Sequence, residues 1–249
     1  MPGQETSASH QRPRCLAMVP AFNERAAIAG VIADLKALQW IDVVVIDDGS
    51  GDGTAAAAVQ AGARVVTLPF NLGIGTAVQT GYIIAQDARY DVAIQVDGDG
   101  QHPATEIGTL VEALLASDAD LVIGSRFLAP GAFRSTRGRR LGISLLARIV
   151  SLATKSHLTD STSGFRAAGP RAIALFAAAY PHDYPEVESI VVAHRAGLRV
   201  REVPIQMQAR QGGRSSITPI RSVYYMVKVS MAIGMVLLRR PARLPGGSS

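Results

Sequence analysis

Short apolar runs alternate with helical repeats along this chain. Residues 16–19 form an apolar run ended by Pro20. Behind Glu24, the residues Ile28, Val31, Ile32, Leu35 and Leu38 recur at the period of a helix with one buried face. Residues 42–46 read as a β-branched strand flowing into the acid- and glycine-rich stretch 47–54, with a helix after it. Residues 64–68, 91–96 and 120–123 read as three further strands, each followed by a loop and a helical pattern. This alternation predicts an α/β fold, a Rossmann-like, mostly parallel sheet flanked by helices. Ligands bind such sheets at the carboxyl ends of the strands, so the loops at 20–24, 47–50, 71–75, 97–99 and 124–126 are expected on one rim.

The last helical pattern has a different character. Over residues 222–238, Val223, Met226, Val227, Met231, Ile233, Val236 and Leu237 make an apolar helix bracketed by Arg221 and Arg239-Arg240, with Lys228 inside. The uncharged run 229–238 is far short of the roughly 20 residues that cross a bilayer. Such a C-terminal amphipathic helix can lie in a membrane interface with its arginines toward anionic headgroups, or pack on a core or a second subunit. Charge favours an anionic surface: from Arg199 to Arg243 there are nine Lys and Arg against the single acid Glu202. No nucleic-acid motif is present, and Tyr224 and Tyr225 are the tail's only aromatics, so nucleic acid is not an expected partner.

At 249 residues and 48% hydrophobic, the chain can bury one substantial core. The expected organisation is a disordered segment 1–13, a globular domain 14–217, and a basic amphipathic, membrane-facing helix with a flexible tail at 218–249. A single Cys15 excludes an internal disulfide framework, and the polar opening residues lack the apolar core of a secretion signal. A cytoplasmic location, peripheral at the inner face of the plasma membrane, is expected.

Residues 92–103 carry the most chemistry. An apolar strand runs into Asp97 and Asp99, separated only by Gly98 and followed by Gly100 and Gln101. Two carboxylates at a strand end suit a hard divalent cation, and glycine lets a diphosphate approach the backbone. Taken alone, an Asp-Gly pair is also an ordinary turn. A calcium loop starting at Asp97 fails, because its sixth and twelfth positions hold His102 and Gly108. A dinucleotide loop fails at Val78, after Gly73 and Gly75, and no lysine-containing phosphate loop occurs.

The motifs Val19-Pro-Ala-Phe-Asn-Glu24, Ile46-Asp-Asp-Gly-Ser50, Asn71-Leu-Gly73, Asp97-Gly-Asp99, Gly124-Ser-Arg-Phe127 and Thr159-Asp-Ser-Thr-Ser-Gly-Phe-Arg166 occur in this order. Together they resemble a family 2 glycosyltransferase of the GT-A fold. More narrowly, the chain is similar to the branch that transfers a sugar from a nucleotide to a polyprenyl phosphate, as dolichyl-phosphate mannose synthases do. The resemblance covers roughly residues 14–217 and makes this the catalytic domain.

The resemblance implies roles for these positions. Pro20, Ala21, Asn23, Glu24, Asp47, Asp48 and Gly98 would cradle the nucleotide; taken alone, Asp47 and Asp48 could equally cap a helix. Asp97 and Asp99, with Gln101, would hold Mg2+ or Mn2+ on the donor diphosphate, and His102 reads as a bystander. Arg126, Arg139 or Arg140, and Ser144 would grip the acceptor phosphate. Arg210 and Arg214 would close over the donor in a flexible loop. Two departures stand out: Ser216 where a lysine commonly follows the serine, and Ile74 where many relatives have lysine.

Asp160 is expected to orient the acceptor or Arg166. Glu186 and Glu188 flank a helix start, with Glu188 taken as the catalytic candidate. A phosphate acceptor needs no strong base, whereas a sugar hydroxyl would make Asp160 or Glu188 essential. The expected reaction is an inverting single displacement from a nucleotide-sugar donor to a polyprenyl phosphate, at an anionic membrane surface. A membrane protein partner and a homo-oligomer both stay open. Alternatives are transfer to a soluble or cell-envelope glycan, a sugar nucleotidylyltransferase, and a noncatalytic nucleotide-sugar-binding membrane scaffold.

Overall fold

A computed structural model of the chain describes residues 12–128, 137–208 and 219–238, and for 137–143 and 219–227 the backbone alone. Strands β1 (Cys15–Ala21), β2 (Ile41–Asp47), β3 (Arg64–Thr67), β4 (Val92–Gln95), β5 (Leu121–Ser125), β6 (Arg166–Ala168) and β7 (Val200–Pro204) form one sheet in the order β3-β2-β1-β4-β6-β5-β7. Every neighbouring pair is parallel except those made by β6, which runs antiparallel to both β4 and β5. Between the strands lie α1 (Ile28–Ala37), α2 (Thr54–Gln60), α3 (Ile74–Asp87), α4 (Ile107–Leu115), α5 (Arg137–Thr154), α6 (Pro170–Ala178) and α7 (Pro185–Arg195), with α8 (Pro219–Leu238) last.

The period-2 geometry of a strand divides β1 between two cores. Leu16 and Met18 join the cluster under α3, α5, α6, α7 and α8, while Cys15, Ala17, Val19 and Ala21 join the one under α1, α2 and α4. Burial on both faces explains why the parallel strands read as continuous apolar runs.

The sequence reading held no strand at β6 or β7, and two departures bear on the site. The first strand continues through Pro20 to Ala21, with Pro20 in register with Ile46. Pairing with β4 covers only Cys15 to Met18, and Pro20 lies beyond it, where a missing N–H breaks no ladder bond. The second is β6, three residues long and too short to leave a periodic signal. Because it is antiparallel, its first residue Arg166 sits opposite Gln95 and Ile123, near the carboxyl ends of β4 and β5. The segment leading into β6 is thereby delivered to the same rim as the Asp97 loop.

Helix α8 buries Val229, Ala232, Ile233 and Val236 in the core that it shares with α5 and α7. Its other side leaves Met231, Met235 and Leu238 exposed. Among the described residues no helix is long and apolar enough to cross a membrane.

Candidate active site

The rim loops enclose a cavity of about 310 Å³, lined by Pro20, Ala21, Phe22, Glu24, Asp48, Asn71, Gly73, Ile74, Ala77, Asp97, Gly98 and Asp99. The motif loops after β1, β2 and β4 thus meet as expected. A Cβ at position 98 would lie 3.2 Å from the Pro20 carbonyl oxygen and 3.3 Å from the Ala21 Cβ, so glycine lets the β1 and β4 loops touch.

The β1 and β2 loops are also stitched together. Asn23 adopts φ 57°, a left-handed conformation that asparagine tolerates. Its N–H donates to Ser50 Oγ at 2.9 Å, and its Oδ1 accepts the Gly51 N–H at 3.1 Å. The Glu24 N–H donates to Thr54 Oγ1 at 2.9 Å. Asp48 is buried, and its carboxylate accepts the N–H groups of Leu72 at 2.8 Å and Gly73 at 2.9 Å, fixing the loop that precedes α3. Asp47 is buried too: its Oδ1 accepts the Ser50 N–H at 3.3 Å, while its Oδ2 has no hydrogen-bond partner among the described residues. Neither acid caps α2, whose Thr54 N–H is taken by Asp52 at 2.9 Å.

Asp97 and Asp99 both face the cavity. The side chain of Asp97 is 38% exposed, and His102 Nε2 lies 3.8 Å from its Oδ2. Asp99 Oδ1 accepts the Gln101 N–H at 3.0 Å, closing the turn. Gln101 is half-buried and lies outside the cavity lining. Two half-buried carboxylate groups at the cavity, all hard oxygen donors, fit a Mg2+ or Mn2+ ion that takes its remaining ligands from a substrate.

The acids expected to serve the acceptor are engaged elsewhere. Asp160 is fully buried and faces Arg126, not Arg166. It accepts from Arg126 Nε at 2.6 Å, Nη2 at 2.7 Å and the main-chain N–H at 3.1 Å. Arg126 Nη2 also donates to Thr162 Oγ1 at 2.7 Å. Burial opposes the charge on Arg126, but the hydrogen bond and charge of Asp160, with Asp97 and Glu186 behind, outweigh it and hold the guanidinium above its ordinary range. Arg166 instead donates to the carbonyls of Ser163 at 2.7 Å and Glu186 at 2.5 Å, and to Ser189 Oγ at 2.6 Å. Glu188 is buried and accepts the Tyr184 N–H at 3.0 Å at the start of α7.

Three residues beyond the expected set shape the site. His102, read as a bystander, packs beneath Asp97. Glu186 has its carboxyl pushed up by burial and by the charge of Asp97, against the pull of Arg166 and Arg126. On β7, Glu202 accepts the N–H groups of Thr159 and Asp160, both at 2.7 Å, and Thr159 Oγ1 at 2.8 Å. Its only sequence signal was being the lone acid in a basic stretch. Ser144 is exposed on α5, and Arg139 and Arg140 lie on the first turn of that helix, their side chains outside the described residues. Arg210 and Arg214 lie outside the described residues altogether.

Comparison with known proteins places this geometry. The chain is 29% identical over 241 residues to a polyprenol monophosphomannose synthase of Mycolicibacterium smegmatis, covering 92% of this chain and 90% of the relative. It is 32% identical over 215 residues to an undecaprenyl-phosphate mannosyltransferase of Micrococcus luteus, covering 82% and 88%. Its fold matches the crystal structure of glucosyl-3-phosphoglycerate synthase from Mycobacterium tuberculosis in complex with Mn2+, uridine diphosphate and phosphoglyceric acid. That match has a TM-score of 0.67 at 22% identity and covers 95% of this chain and 81% of that one. With the glycosyl transferase family 2 model matching residues 17–174, the chain belongs to that family and is a nucleotide-sugar-dependent glycosyltransferase of the GT-A fold.

Proposed function

We propose that the enzyme moves a sugar from a nucleoside-diphosphate donor to a polyprenyl phosphate by an inverting single displacement. The observation that carries this reading is that Asp160 and Glu188 are both consumed, one by Arg126 and the other by the Tyr184 amide. Neither is disposed to take a proton from a hydroxyl. An acceptor that arrives as an anion needs no such base. The names of the Mycolicibacterium and Micrococcus relatives support the same acceptor class.

In this reading Pro20, Ala21, Asn23, Glu24, Asp47 and Asp48 surround the nucleoside. The Asp47 Oδ2, without a partner among the described residues, suits a donor group on it, since a polar oxygen buried without a partner is costly. Asp97 and Asp99, with Gln101 beside them, hold Mg2+ or Mn2+, a choice supported by the Mn2+ in the Mycobacterium tuberculosis enzyme. When bound, the cation neutralises charge gathering on the departing diphosphate. Arg126, kept charged and oriented by Asp160, faces the acceptor phosphate together with Arg139, Arg140 and Ser144. Arg210 and Arg214 close over the donor. A phosphate oxygen of the acceptor then attacks the anomeric carbon as the bond from that carbon to the donor diphosphate breaks.

Membrane docking in this reading is supported by the surface of α5 and α8, neither of which contains an Asp or Glu. Leu145, Leu152, Met231, Met235 and Leu238 are exposed there beside Arg148 and Lys228, an apolar and basic face suited to anionic lipid.

The test is a panel of labelled UDP-, GDP- and dTDP-sugars with a short polyprenyl phosphate and Mn2+. Label is expected in the organic extract; label that stays wholly in water-soluble glycan defeats the acceptor assignment. Asp160→Asn is expected to raise the KM for the lipid phosphate more than it lowers kcat, the opposite of a lost base. The raised carboxyl of Glu186 favours one second reading, a hydroxyl acceptor with Glu186 as base. Under that reading Glu186→Gln would lower kcat by about 10²–10⁴-fold.

A further inference from the structure

The imidazole of His102 is wedged between the cation loop and the segment that enters β6. Its Nδ1 accepts the main-chain N–H of Asp97 at 3.1 Å. Its Nε2 lies 3.8 Å from Asp97 Oδ2, and only 2% of the side chain is exposed. The ring stacks on Phe165 with centroids 4.7 Å apart and planes 21° from parallel. Phe165 is fully buried, and its carbonyl accepts the Gly124 N–H at 2.9 Å at the end of β5.

A ring nitrogen that accepts an amide N–H carries no proton, so in the neutral ring the proton sits on Nε2, the nitrogen that faces the Asp97 carboxylate. One side chain therefore fixes the Asp97 backbone through one nitrogen and faces its carboxylate with the other. Phe165 holds the ring in place from behind. The arrangement parallels the carboxylate–imidazole supports found behind metal ligands, with the carboxylate here as the ligand.

We infer that His102 is a positioning residue: it presents the Asp97 carboxylate to a divalent cation and ties that presentation to the segment before β6 through Phe165. The inference rests on the assignment of Asp97 and Asp99 to the cation, and the experiment separates the two. Mn2+ affinity is measured with saturating UDP from the loss of the free-ion electron paramagnetic resonance signal, and UDP affinity is measured separately in chelator. His102→Phe keeps the stack and removes the acceptor nitrogen, whereas His102→Asn keeps an acceptor near the Nδ1 position. His102→Phe is expected to weaken Mn2+ binding about 10- to 100-fold with UDP affinity in chelator unchanged, and His102→Asn to recover most of the loss. His102→Phe binding Mn2+ within about twofold of the wild type, while Asp99→Ala loses it, overturns the positioning role and leaves the cation assignment standing. Asp99→Ala binding Mn2+ like the wild type overturns both. Should His102→Phe not fold, Phe165→Leu takes its place: weakened Mn2+ binding in the folded protein supports the role, and unchanged binding overturns it.

Discussion

Two glutamates from one short motif show what a sequence holds back at the residue scale. Glu186 and Glu188 are separated by one position, and only the helix decides which way each points. Glu188 turns back on the Tyr184 amide, while Glu186 stands within the fields of Asp97, Arg126 and Arg166. Burial raises the Glu186 carboxyl above its ordinary value of 4.5, so the folded chain holds that proton more tightly than the unfolded chain does. Stability is therefore lost as pH climbs from 4.5 through the raised value. Glu186→Gln removes the loss. It is expected to melt higher than wild type near pH 7, by about 2–4 °C for each kcal/mol relieved, with the gap closing at low pH. A gap that stays constant with pH would contradict the burial argument. That Asp97 and Asp99 stand at the cavity was legible from sequence because the signal is local, two carboxylates across one glycine at a strand end. The pairing of Arg126 with Asp160 was not, because it joins positions far apart in the chain that only the sheet brings together.

Among the elements, the long and periodic ones were readable. Helix α1 and the first five strands were fixed by runs and repeats of apolar residues, and the rim followed from their order. Strand β6 escaped notice because three residues carry no period, yet it turns the 159–165 segment toward the Asp97 loop. Helix α8 was legible as apolar and basic, but its pattern alone did not say which stripe is buried. The structure gives it a buried stripe and an exposed one, and two changes separate the core role from the proposed docking role. Ile233→Ala, on the buried stripe, is expected to cost about 2–5 kcal/mol in denaturant unfolding. Met231→Glu with Met235→Glu, on the exposed stripe, should leave the unfolding midpoint nearly unchanged and abolish co-sedimentation with anionic vesicles. Vesicle binding that survives the double change would move the docking face elsewhere.

For the whole molecule, the cavity is assembled from loops that follow β1, β2 and β4, each carried by a different part of the sheet. A ligand that spans them braces the fold. The nucleoside diphosphate of the donor that the panel selects, with Mn2+ and at about a hundredfold excess over its Kd, should stabilise the chain by about 2.7 kcal/mol. That corresponds to a rise of about 5–10 °C in Tm for a protein of this size, measured by scanning calorimetry, and either component alone should give far less. Equal shifts from that nucleotide with and without Mn2+ would show that the cation does not share the nucleotide's site.

The clasp of Glu202 on Thr159 and Asp160 constrains how this scaffold can be re-engineered. A designer who transplants the 159–165 segment from another enzyme, hoping to change the acceptor, severs it from the strand that steadies it unless residue 202 travels too. The natural unit of exchange is the segment with its strand, and chimaeras cut between them should lose acceptor use before they lose their shape.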